Sequence, residues 1–90
     1  MDEAARQLVA DLYRRFGPAI HRRALSLIRD PQEALDVTQE TFLAYLDGAQ
    51  AQTASPFTVL YQIATFKSVD RLRRKSRWSG SLRLPSPSDL

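Results

Sequence analysis

Apolar residues recur along this chain at helical spacing in four blocks, and no block reads as a strand. Leu8, Val9, Leu12, Tyr13 and Phe16 form one stripe, which Gly17-Pro18 interrupts. Proline suits the first turn of a helix, so a second helix is expected from about Pro18 to Ile28, burying Ile20, Ala24, Leu25 and Ile28. Asp30-Pro31-Gln32-Glu33 is a start signal: Asp30 caps, Pro31 takes the first helical position, and Glu33 completes a capping box. That third helix runs to about Leu46. Asp47-Gly48 ends it, with the glycine expected in the left-handed conformation. The segment GAQAQTA (48–54) has no periodicity and reads as a loop. Ser55-Pro56 repeats the cap-plus-proline signal and opens a fourth helix reaching about Arg77, which at about 1.5 Å per residue spans roughly 30 Å. The expected fold is all-α, a compact bundle of about four helices over residues 1–78. Residues 79–90, SGSLRLPSPSDL, form an extended or disordered tail or the start of a linker.

The fourth helix changes character midway. Its first half, PFTVLYQIATF, is apolar nearly all round, as for a helix sunk among neighbours. Beyond it, Tyr61, Thr65, Ser68, Val69 and Leu72 are expected on one side and Lys67, Arg71, Arg74 and Lys75 on the other. Three readings of that basic stripe stay open: a solvated face, a nucleic-acid contact, or a contact with an acidic membrane surface or protein. The third helix has the opposite sign. Ala34, Leu35, Val37, Phe42, Tyr45 and Leu46 supply its apolar contacts, and Glu33, Asp36, Gln39 and Glu40 form a polar, acidic face. No Lys or Arg in that helix can pair with them. Either water solvates this face or a basic partner neutralises it on docking.

Composition narrows the function classes. Ninety residues suffice for one modest core. Cysteine is absent, which excludes disulfides and thiolate metal sites and fits a reducing cytoplasm. No apolar run is long enough to span a membrane, and the acidic, amphipathic MDEAARQL is unlike a signal peptide. The net charge is +3, but it is unevenly spread. Residues 67–90 carry seven bases against Asp70 and Asp89, whereas residues 1–66 carry six arginines against eight carboxylates. An acidic helix and a basic one suggest two different partners.

Catalysis has little support. The acidic residues lie on one outward face and enclose no substrate, and no glycine-rich phosphate loop or nucleophile motif occurs. The single histidine, His21, has no second ligand to share a metal. No catalytic residue, metal or cofactor is expected.

Three blocks in a fixed order, LYRRFGPAIHRRALSLIRD (12–30), EALDVTQETFLAYL (33–46) and LYQIATFKSVDRLRR (60–74), make the chain resemble region 2 of the extracytoplasmic-function (ECF) sigma factors of bacterial RNA polymerase. The resemblance implies that Glu33, Asp36, Gln39 and Glu40 dock on the clamp coiled coil of the largest polymerase subunit. It implies that the following loop and helix read and melt the promoter minus-ten element, with bases of the non-template strand flipped into protein pockets. Lys67, Arg71, Arg73, Arg74 and Lys75 would then grip phosphate, while Gly48, Ala49, Gln50, Ala51, Gln52 and Phe66 would line a flipped-base pocket. An anti-sigma factor is the implied regulatory partner. The linker to region 4 would begin where this chain ends, so this piece alone is expected to bind promoters poorly.

Two places depart from the family pattern. Val59 stands where Trp is common, and Thr65-Phe66 where Arg-Asn is common. Phe66 cannot replace the amide hydrogen bonds of that Asn, though it can stack on a base or pack inward. A sigma-like adaptor that keeps the polymerase surface and has lost promoter reading, or a general helical interaction module, are the competing readings.

Overall fold

The computed structural model describes residues 3–48 and 54–78. They form three helices: α1 (Glu3–Ile28), α2 (Pro31–Asp47) and α3 (Pro56–Trp78). The all-α class is as expected, but the two N-terminal helices are one. Pro18 lies inside α1, where it forfeits a backbone hydrogen bond at a cost of about 3 kcal/mol. The row Leu12, Phe16, Ile20, Ala24, Ile28 runs through the proline in unbroken steps of four, and all but the half-buried Phe16 are buried. Each large apolar side chain so buried is worth roughly 1.5–3 kcal/mol, so keeping both halves on the same neighbours outweighs the proline. Gly17 serves packing here, because a Cβ on it would stand 3.2 Å from the Tyr13 ring.

Arg29 and Asp30 join α1 to α2. Arg29 sits at φ 64°, a left-handed conformation that costs a non-glycine residue roughly 1 kcal/mol, while its N–H donates to the Leu25 carbonyl at 2.8 Å. Asp30 caps α2 as expected, its Oδ1 accepting from the N–H groups of Gln32 at 3.0 Å and Glu33 at 3.3 Å. At the other end, the Gly48 N–H donates to the carbonyls of Ala44 and Tyr45. Its φ of 173° is extended rather than left-handed, so this cap does not require glycine. Ser55 caps α3 as expected, its Oγ accepting from the Thr58 N–H at 3.3 Å.

The core lies between the three helices. Leu12, Ile20, Phe42, Tyr45, Val59, Leu60 and Ala64 make one cluster; Ala24, Ile28, Ala34 and Val37 make a second, against which Leu25 and Leu72 pack. Thr38 and Thr41 are buried too, their hydroxyls donating to the Ala34 and Val37 carbonyls at 2.7 Å each. The apolar half of α3 is not sunk all round: Phe57, Tyr61 and Phe66 keep exposed surface. Leu35, expected in the core, is exposed as well. The expected tail, residues 79–90, lies outside the described residues.

Candidate functional site

The acidic face of α2 and the basic stripe of α3, which the sequence offers to separate partners, meet each other. Glu33, Asp36 and Glu40 lie on successive turns of α2, and Lys67, Arg71 and Lys75 lie one turn apart on α3. Because the helices run side by side in opposite directions, the rows pair in reverse order. Lys67 stands 3.9 Å from Glu40, Arg71 reaches Glu40 at 2.7 Å and Asp36 at 3.8 Å, and Lys75 donates to Glu33 at 2.8 Å. The expected split of α3 into opposite apolar and basic sides is therefore corrected. These three cations border the core on the α2 side, while Ser68, from the expected apolar stripe, is fully buried.

Arg71 is the centre of the ladder, with its side chain only 22% exposed and two carboxylates in reach. The Asp36 and Glu40 side chains remain 53% and 45% exposed, so the acids still face solvent and can take a second cation. Gln39 is exposed beside them. The Glu33 carboxylate, through its hydrogen bond and charge, raises the Lys75 pKa above the ordinary 10.5.

The remaining predicted cations lie elsewhere. Arg74 pairs with Asp70 along α3 at 2.7 Å. Arg73 is exposed and makes no ion pair among the described residues. Phe66 is 74% exposed, which removes the reading in which it packs inward. Of the expected base pocket, Gly48 is exposed at the end of α2, and Ala49, Gln50, Ala51 and Gln52 lie outside the described residues.

Between α1 and α3 the structure assembles a group of residues that the sequence pattern does not bring together. The Arg23 guanidinium lies 4.9 Å from the centre of the Tyr61 ring, and its Nε donates to the Thr65 hydroxyl at 3.1 Å. Thr65 in turn donates to the Tyr61 carbonyl at 2.9 Å. Phe57 packs between Tyr61 and Phe16, with ring centres 5.8 and 5.5 Å apart. Arg23 and Tyr61 are on different helices and far apart in sequence, so no local spacing signals their contact. Among the described residues, no cluster of three His, Cys, Asp or Glu is placed to hold a metal.

A family model described as Sigma-70 region 2 matches residues 12–77. No curated protein and no solved structure matches the chain.

Proposed function

This chain belongs to the sigma-70 region 2 family, which acts in RNA polymerase binding and promoter recognition, and on that footing we propose that it is an ECF-type, non-catalytic initiation domain. In this reading α2 docks on the clamp coiled coil of core polymerase, and the segment after it, with α3, engages the non-template strand of the minus-ten element in the cytoplasm. The observation that carries the docking is the outer side of α2. Asp36, Gln39 and Glu40 face solvent together, while Val37, Thr38, Thr41 and Phe42 fix the helix from behind. A basic partner meets two half-exposed carboxylates, which must share or give up Arg71 as it docks.

On the nucleic-acid side, Arg73 is the predicted cation most open to phosphate, and Phe66 offers an outward ring for base stacking, worth about 1–3 kcal/mol. An anti-sigma factor covering these same faces belongs to this reading. The adaptor reading draws on one observation: three of the five predicted phosphate contacts, Lys67, Arg71 and Lys75, are already engaged by α2.

The docking test is a pull-down with core polymerase using Asp36→Asn combined with Glu40→Gln. Neutral substitutions are preferable to charge reversal, which would set new cations against Arg71 and unsettle the fold. At least a ten-fold loss of affinity with unchanged helical circular dichroism supports docking through α2; undiminished binding removes it. Joined to a region 4, the domain should then direct promoter-specific transcription by core polymerase, an outcome that the adaptor reading forbids.

A further inference from the structure

We infer that the seam between α1 and α3 is a contact for single-stranded DNA, in which Arg23 holds a backbone phosphate and Tyr61 and Phe57 offer ring surface to the adjoining base. This rests on the proposed engagement of single-stranded promoter DNA and moves part of it onto α1, to residues outside the predicted basic stripe.

The first argument is the state of the Arg23 side chain. Its Nε donates to Thr65 and its Cζ lies over the Tyr61 ring, so two contacts restrain the guanidinium before any ligand arrives. Among the described residues it has no ion pair, in contrast to Lys67, Arg71 and Lys75, which all face carboxylates. A guanidinium has five N–H donors, and the outer ones make a fork that fits a phosphate. The second argument is what surrounds it. Phe57 and Tyr61 are 36% and 38% exposed, and Arg22 is exposed next in sequence. Arg15 lies 5.2 Å from the Phe16 ring at the far end of the same aromatic row. Arginine interleaved with exposed rings suits a nucleic-acid single strand, because cations follow phosphates and every base has a face to stack. At the Arg15 end of the row, Asp11 is shared by Arg14 and Arg15.

The test measures binding of a short fluorescein-labelled oligodeoxythymidine to the full chain by anisotropy across a salt series. Arg23→Gln should reduce the slope of log affinity against log salt by about 0.7, the loss of one single-strand phosphate contact. Tyr61→Ala should weaken binding about ten-fold and leave that slope unchanged. Arg14→Gln, which removes an equal charge from another face of α1, should leave the slope as in the wild type. Thr65→Val, which frees Arg23 without removing its charge, should weaken binding and keep the slope. Thermal melting of each variant ensures that binding is read well below unfolding.

An unchanged slope in Arg23→Gln, or an equal change in Arg14→Gln, overturns the seam contact. So does competition by polyglutamate as strong as that by unlabelled oligonucleotide, which would mark a site for acidic protein. If the wild-type chain binds no oligonucleotide, the parent reading falls with it. If the wild type binds and Arg73→Ala weakens it while Arg23→Gln does not, only the seam contact falls.

Discussion

Helix α3 meets its two neighbours through different chemistry. Toward α2 it presents Lys67, Arg71 and Lys75 to Glu40, Asp36 and Glu33, an ionic ladder with both signs at hand. Toward α1 it presents Phe57, Tyr61 and Thr65 to Phe16 and Arg23, a seam of rings and one arginine without a counter-ion among the described residues. The ladder is where the sequence displays its charge most openly, yet there much of that charge is consumed internally. The seam is inconspicuous in sequence, yet there a fixed cation is left over. Exposed charge in a sequence is thus a poor guide to charge free for a ligand, because pairing depends on which helices lie side by side.

The comparison breaks most sharply at Arg71. Arg71→Glu would place a third carboxylate against Asp36 and Glu40, and should destabilise the domain by about 2–3 kcal/mol in urea unfolding. Added salt should narrow the gap to the wild type, because the ladder is partly exposed and screens. If the loss is as large in high salt, the α2–α3 contact is held by packing and the contrast fails.

Tyr61→Ala probes the seam in the same way. Removing the ring takes away its contacts with Phe57 and Arg23, and the expected loss is about 1–2 kcal/mol, nearly independent of salt. Strong salt dependence there would make the two interfaces alike.

Ser68 belongs to the core behind the ladder. Its side chain is fully buried and its Oγ finds no hydrogen-bond partner among the described residues, in contrast to Thr38 and Thr41, which back-bond to α2. Ser68→Ala removes an unsatisfied hydroxyl and should raise stability by up to about 1 kcal/mol. A lower midpoint in thermal melting would show that the hydroxyl has a use.

The smallest effect is at Lys75. Its pKa is raised in the folded state, so the stability it contributes is complete below 10.5 and is lost as pH climbs through the raised value. Unfolding of the wild type and of Lys75→Met should therefore converge slightly under alkaline conditions above 10.5. A constant difference between the two would mean that Lys75 acts through packing of its stem alone.

Much of the fold was legible where the signal is local. Asp30-Pro31 and Ser55-Pro56 cap helices as read, since a cap needs only the next three residues. Gly17-Pro18 misled for the same reason: as a local breaker it outweighed the row at steps of four from Leu12 to Ile28, whose worth appears only when both halves bury against α2 and α3. Leu35 and Phe66 are apolar but exposed, and Thr38, Thr41 and Ser68 are polar but buried. Helical geometry assigned those faces against residue type.

By itself the sequence determined the helical class, both capped starts, the charge of each helix and the three blocks that mark a Sigma-70 region 2 domain. Those rest on backbone preferences and spacings within one or two turns, which a chain carries before it folds. The tertiary structure decided that the acids and bases of α2 and α3 pair, that Phe66 looks outward and that Arg23 is held on Tyr61. Each of these depends on side chains brought together from distant parts of the chain. Only the packing of the three helices fixes which charges are compensated and which remain for a partner.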